Sequence, residues 1–361
     1  MKIDFRNYNY YPFLHTRNSE EEAFLNLHGQ YKELIIPSFI LHNRKGSALT
    51  ASLNKITEKY DGNFILFPPI SEKVINQITD EERKIFDNNN AYQNWREFLS
   101  QYPKAIPGIL TPNANSEFLK RDVIRQAIML ERDDKKIAFR VKNNSDLNFC
   151  IDAVSALDSP ENAIIFVDCG HIDDLNNSFN LSSGLIEKLK NQLPKLNITL
   201  ISNSFPSSPA VEMTQIKEYS THLIKGGYIQ QKEVELYLKI SEIHDISYGD
   251  YASIYPIPIE SQESEGRWSA RIDFCTLDDD WSVFRLPRSH GEGYQPLAEH
   301  ILNLELIDNI PQCWGRDMLE MAAKGNLLGR SPSKWVSVRA NTHMSRQISL
   351  VMNDDVSLGE F

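Results

Sequence analysis

The amino-acid sequence predicts an α/β protein, a TIM-like (β/α)8 barrel with a C-terminal α+β extension. Three observations carry that expectation. Short apolar runs recur eight times, helical sequence follows them, and most runs end in polar residues, proline or glycine. Strands buried on both faces of a parallel sheet read as such near-continuous apolar runs. Eight units in succession imply a closed barrel, in which chemistry sits at the C-terminal ends of the strands.

The runs are YYPFLHTR from Tyr10, ELIIPSFI from Glu33, NFILFPP from Asn63, AIPGILTP from Ala105, KIAFRVK from Lys136, AIIFVDCGHI from Ala163, NITLISNSFP from Asn197 and ISYGDYASIYP from Ile246. After the first, Ser19 and Glu22 have capping-box spacing. After the second, Leu49, Leu53 and Ile56 recur at helical spacing, and a polar helix-rich stretch from Glu72 to Gln101 follows the third. The fourth leads to the amphipathic NSEFLKRDVIRQAIMLE. The fifth leads to NSDLNFCIDAVSAL, with Asn144 or Ser145 as cap. SGLIEKLKNQL follows the sixth. MTQIKEYSTHLI follows the seventh and reads as a helix ended by Gly226-Gly227, with KEVELYLKISEI as a further helix.

Beyond Pro258 the pattern changes. IESQESEGRW reads as a loop. ARIDFCTL and WSVFRLP flank Asp278-Asp279-Asp280 as an antiparallel hairpin. PRSHGEGY reads as a mobile loop, YQPLAEHILNLELI and GRDMLEMAAKG as helices, and KWVSVRANTHMSRQISLVM as a strand, a polar turn and more apolar sequence. The expected organisation is a barrel over residues 8–258, an extension packed on it over 259–352, and a frayed tail over 353–361.

The chain has 361 residues and a formal net charge of -11, which argues against nucleic acid or an anionic membrane as partner. Its four cysteines are far apart and form no CxxC pair, so neither structural zinc nor a disulfide framework is expected. The first residues lack the apolar stretch of a signal peptide, and no apolar run is long enough to span a bilayer. The protein is read as cytoplasmic.

Strand ends supply the candidate site. Arg17 closes the first strand. Arg140 and Lys142 lie two apart on one face of the fifth. Asp168 and Gly170 share a face of the sixth, with Cys169 and His171 on the other. Asn203 and Ser204 end the seventh, and Asp250 and Tyr251 lie in the eighth. The later segment adds Arg271, Arg285, Arg288, His290, Arg339, Asn341, His343 and Arg346. Asp168 and Asp250 are carboxylates embedded in apolar sequence, candidates for acid–base work, with His343 as a third catalytic candidate. Pairing with Arg140 is the structural alternative for the carboxylates, and a hydrogen-bonded structural role for the histidine. Arg140, Lys142, Arg271 and Arg285 suit a phosphate or carboxylate, or else an internal ion-pair network with Asp168, Asp250 and Asp273. Arg17, Asn203, Tyr251 and Arg346 complete the candidate binding set. Cys169 reads as a small core thiol before it reads as a nucleophile. The sequence carries no metal or nucleotide-cofactor motif, and the cofactor question stays open.

The ordered set YxPFLxxR (Tyr10–Arg17), AFRVK (Ala138–Lys142), FVDCG (Phe166–Gly170), ISNSFP (Ile201–Pro206), YGDY (Tyr248–Tyr251), WSVFR (Trp281–Arg285) and WVSVRANTHMSRQI (Trp335–Ile348) resembles the Beta protein family of bacteria and phages. The resemblance spans Tyr10 to Ile348. It implies a barrel-like fold and a setting among mobile or anti-phage defence genes, and it carries over no catalytic residue. Where the family pattern has Gly-Glu after the first strand, this chain has Asn18-Ser19-Glu20. The leading functional expectation is a defence-associated barrel, enzyme or ligand-sensing effector, acting on an anionic small molecule that is phosphorylated or nucleotide-like. The alternative is a non-catalytic module that recognises a phage protein or the product of a neighbouring gene.

Overall fold

The computed structural model describes residues 3–42, 48–69, 80–112, 117–133, 135–257, 268–275, 280–287 and 289–357. Along the chain, β1 (Tyr10–His15) leads to α1 (Asn18–Leu25) and α2 (Gly29–Glu33), and β2 (Ser38–Ile40) leads to α3 (Ala51–Lys59). β3 (Phe64–Phe67) is followed by α4 (Asp80–Ile85) and α5 (Asn89–Ser100), β4 (Ala105–Pro107) by α6 (Glu117–Arg132), and β5 (Ile137–Val141) by α7 (Asn144–Ser155). β6 (Ala163–His171) is followed by α8 (Leu175–Gln192). β7 (Asn197–Asn203) is followed by α9 (Pro209–Glu212), β8 (Thr214–Gln215), β9 (Lys225–Gln230) and α10 (Glu233–Ser241). Then come β10 (Ser247–Asp250), β11 (Ala270–Cys275), β12 (Asp280–Leu286), α11 (Tyr294–Asn303), α12 (Trp314–Ala323) and α13 (Pro332–Ser357).

Eight of these strands form one parallel sheet in the order β4-β3-β2-β1-β10-β7-β6-β5. A parallel bridge from Gly108 to Ala138 joins its two edges, with the Ile109 N–H donating to the Ala138 carbonyl at 2.8 Å. The barrel is thereby closed, and all eight strands are those the apolar runs mark. Pleating sends alternate residues to opposite faces. Tyr11, Phe13, Ile40, Phe67, Phe166 and Ile201 fill the interior, while Leu14, Phe39, Phe64 and Val167 pack outward against the helices. Phe13 and Phe166 meet edge to face at 4.8 Å.

Four strands form a second, antiparallel sheet in the order β11-β12-β9-β8. One face, with Ile272, Phe274 and Phe284, packs against α11, α12 and the Trp335 end of α13. On the other face Cys275, Trp281 and Ile229 pack against Phe205, just beyond the C-terminal end of β7. That contact sets the small sheet over the mouth of the barrel.

Several sequence expectations need correction. The segment after β7 is not a crossover helix: Gly226-Gly227 lies inside β9, where added Cβ atoms would meet backbone of Tyr219 and Thr214 at 2.3 and 2.2 Å. Glycine serves close strand approach there, not a helix end. WVSVRANTHMSRQISLVM is one helix rather than strand and turn. Its middle is buried almost all the way round by α1, α12, β1 and β11, so polar side chains lie inward and no amphipathic stripe marks it as helical. The cap of α7 is Asn143, whose Oδ1 accepts from the Ser145 and Asp146 N–H groups. The Ser19–Glu22 capping box does not form, because the N-cap of α1 is Arg17, two residues earlier, and Glu22 pairs with Lys334 at 2.5 Å. Residues 290–293 form a 3-10 turn entering α11. Asp278, Asp279 and Arg288 lie outside the described residues.

Gly249 shows how tightly the barrel closes, since a Cβ there would stand 2.2 Å from Ile201 Cδ1 and 2.6 Å from the Tyr11 carbonyl oxygen. Gly249→Ala is expected to lower stability by about 1–3 kcal/mol through overpacking, read from the urea midpoint at unchanged slope.

Candidate functional site

The interior positions nearest the C-terminal strand ends are polar. His15 ends β1, Arg140 lies near the end of β5, Asp168 on β6, Asn203 ends β7, and Tyr251 follows β10. Arg140 Nε donates to Asp168 Oδ2 at 2.5 Å, and Arg140 Nη2 donates to the Tyr251 hydroxyl at 2.6 Å. That hydroxyl donates in turn to Asp168 Oδ2 at 2.8 Å, and the Gly170 N–H donates to Oδ1. Burial pushes the Asp168 carboxyl up, but the charge of Arg140, helped by Lys142 and Tyr251, outweighs it and leaves the pKa below the ordinary range. Burial also pushes Tyr251 far up, so its hydroxyl keeps the proton it donates.

Two further groups continue this assembly. At the start of α1, Glu20 stands 3.8 Å from Arg17 Nε and 3.4 Å from His15 Nδ1. Burial opposes the Glu20 charge, and the Arg17 guanidinium and the hydrogen bond from the His15 backbone N–H favour it. On the small sheet, Asp273 takes Arg271 at 2.9 Å and Arg339 of α13 at 2.8 Å. The Arg339 guanidinium lies over the Phe205 ring at 4.0 Å and donates to Ser253 Oγ, and burial pushes its pKa down to about 10. The fields of these groups overlap: Arg140 acts on His15, and Glu20 acts on Arg339. Ala252 and Ser253 hold left-handed φ values of 47° and 65°, strained for residues with a Cβ, at the turn that aims Ser253 into this assembly.

Asp250 belongs elsewhere. It neighbours Tyr251, so it projects from the other side of the barrel wall. There it accepts from Tyr10 and Tyr248 hydroxyls at 2.8 Å each, from the Ala252 N–H at 2.8 Å, and pairs with His343 Nε2 at 2.7 Å. His343 is fully buried on α13 beside Trp281, with ring centroids 4.9 Å apart. Burial raises the Asp250 carboxyl, and His343 with its other donors overrides that, leaving it low. Arg346 is buried farther along the same helix.

The structure thus brings Arg17, Arg140, Lys142, Asp168, Asn203 and Tyr251 to the mouth, and puts Arg271 and Arg285 on the face of the small sheet that carries Cys275 and Trp281. It separates Asp250 and His343 from them. His15 and Glu20 join the residues at the mouth without being among the strand-end candidates. His15 is detectable, because it continues the inward alternation of Tyr11 and Phe13; Glu20 stands in the Asn18-Ser19-Glu20 corner, where the resemblance marks a departure from Gly-Glu but no role. Burial pushes the Cys169 thiol up to about 12, so it is not a thiolate at neutral pH. Two clefts of about 310 and 360 Å³ open at the opposite end of the barrel, and exposed lysines such as Lys104 and Lys195 line them. His15, Arg17 and Glu20, all at the C-terminal mouth, are among the residues that carry a buried polar atom with no hydrogen-bond partner among the described residues, which makes the mouth the candidate site. Among the described residues, no group of three His, Cys, Asp or Glu side chains is placed to hold a metal ion, and no helix is long and apolar enough to cross a membrane.

Comparison with known proteins gives a family. The sequence model of the Beta protein family matches residues 10–349. Protein beta of Enterobacteria phage P4 is 31% identical over 354 residues, which cover 97% of this chain and 96% of that protein. Among solved structures, the spore cortex-lytic enzyme SleL of Bacillus megaterium QM B1551 aligns over 93% of this chain and 74% of its own at 11% identity and a TM-score of 0.26.

The ion pairs generate two expectations. Asp168→Asn leaves the Arg140 charge without its carboxylate and is expected to cost about 3–5 kcal/mol, while the double change Arg140→Met, Asp168→Leu recovers most of it in urea unfolding. Asp168 and Asp250 are both held below their unfolded values, so their stabilisation is complete above about pH 5 and is lost as pH falls through the folded values. Asp250→Asn should therefore flatten the acid limb of a stability–pH curve; an unchanged limb contradicts the assignment.

Proposed function

The chain belongs to the Beta protein family, and from that premise we propose that the mouth of its barrel binds an anionic small molecule, phosphorylated or nucleotide-like. The observation that carries this reading is the surplus of cations there, in a chain whose net charge is -11. Among the described residues, Arg17, Arg140, Arg271, Arg285 and Arg339 gather with the three carboxylates Glu20, Asp168 and Asp273, while Lys142 lies beside Asp146. On the small sheet, Arg271 stands directly opposite Arg285, and Arg285 directly opposite Lys225. Like charges in register destabilise a sheet, and an anion between them removes that cost. Asp273 serves Arg271. Arg285 hydrogen-bonds Ser269 at 3.3 Å and, among the described residues, has no carboxylate partner.

In this reading Arg140 and Lys142 hold the anion from the barrel side and Arg271 and Arg285 from the sheet side. Asp168 orients Arg140. Asp250 and His343 hold β10 against α13. A relative encoded by a phage supports a role at the contact between phage and host.

Thermal unfolding against phosphate, nucleotides, dinucleotides and sugar phosphates tests the proposal. A ligand at about a hundred times its dissociation constant adds roughly 2.7 kcal/mol, and the midpoint rises by several degrees. Arg285→Ala, which breaks no ion pair, should keep the unliganded midpoint and lose the rise. No rise with any of these ligands would overturn the proposal and favour a protein partner.

A further inference from the structure

His15 is the polar group at the mouth whose environment is least explained by packing. It points into the barrel, is 1% exposed, and neither ring nitrogen makes a hydrogen bond among the described residues. A buried imidazole in that state forgoes the partners that buried polar groups ordinarily find. Glu20 is equally buried. Its Oε2 accepts from the His15 backbone N–H at 2.5 Å and stands 3.4 Å from the ring Nδ1, while its Oε1 makes no hydrogen bond among the described residues. A histidine backed by a carboxylate on one nitrogen, with the other open, is the arrangement of a proton-transfer group.

The charged and titratable groups around the ring come from four elements. Glu20 and Arg17 lie on or beside α1, and Arg140 lies on β5. His42, following β2, presents its ring at 6.2 Å between centroids. His171, at the end of β6, lies near Asn203 across the mouth. Burial, with the charges of Arg17 and Arg140, opposes a proton on His15, and Glu20 favours one. An oxyanion beside Arg140 and Arg17 would offset those two charges and tip the balance.

We propose that His15, oriented by Glu20, is the proton-transfer group of the mouth and takes up one proton when an oxyanion binds beside Arg140 and Arg17. The proposal rests on the reading of the mouth as an anion site. The proton comes from solvent or from the ligand's own O–H and is accepted by the free lone pair of the imidazole. The imidazolium then donates to the oxyanion, and Glu20 balances its charge. On ligand release the proton returns to solvent.

Sulfate is the probe, because it stays a dianion over the range where histidine titrates. Calorimetry in buffers of different ionisation enthalpy reads both affinity and protons taken up. The affinity should fall roughly fivefold to tenfold between about pH 5.5 and pH 8, with uptake of up to one proton on binding. His15→Gln should bind sulfate with a flat profile, and Glu20→Gln should move the slope to lower pH, whereas His42→Gln and His171→Gln should keep it. Sulfate binding without proton uptake, or a slope that survives His15→Gln, overturns the role of His15 and leaves the anion site standing. No sulfate binding at any pH overturns both. If His15→Gln does not fold, nitrogen NMR of the wild-type histidines, with His15 identified through contacts to Glu20, decides the same question. The titration midpoint of His15 must rise on adding sulfate, and an unmoved midpoint refutes the proposal.

Discussion

The pleat of β10 divides the polar chemistry of this molecule in two. Asp250 and Tyr251 are neighbours in sequence, so one must face out of the barrel and the other in. Tyr251 faces in and joins Arg140 and Asp168 at the mouth. Asp250 faces out, where Tyr10, Tyr248 and His343 surround it and bind β1 and β10 to α13. A slip of one residue in β10 would exchange the two networks and leave buried charges facing apolar surroundings, which is why register here is firmly set.

From α13 the connections run outward. Asn341 accepts from the Gly315 N–H of α12 and donates to the Ala23 carbonyl of α1. Arg339, two residues earlier, reaches Asp273 of the small sheet and Ser253 at the barrel mouth. One helix thus ties the barrel, the small sheet and the C-terminal helices together through buried polar groups. Such groups discriminate against misplacement more than they add net stability, since each must find its own partner. The same helix holds the small sheet over the mouth, and with it the cations at Arg271 and Arg285.

The barrel is legible in the sequence because its strands are buried on both sides and each leaves a nearly unbroken apolar run. Arg140, Lys142, Asp168 and Tyr251 are legible too, since polar residues at the ends of such runs have few places to go but the mouth. What the sequence hides has physical reasons. Trp335–Ile348 lacks a helical stripe because both its apolar and its polar side chains are buried, so periodicity fails as a guide. Lys225–Gln230 carries two glycines that serve close approach between strands, and in sequence they mimic a helix end. Asp250 and Asp168 look alike as carboxylates in apolar strands, and only the pleat, counted from a known inward residue, tells them apart. Glu20 reaches His15 through the turn from β1 into α1, a contact that spacing does not reveal.

The central claim is that the cations at the mouth face a common anion. A crystal soaked in selenate and measured at the selenium absorption edge would test it most directly. The expected result is an anomalous peak within hydrogen-bond distance of the Arg140 or Arg285 guanidinium, between the barrel mouth and the small sheet. A peak confined to the exposed lysines at the opposite end, with the mouth occupied only by water, would contradict the claim.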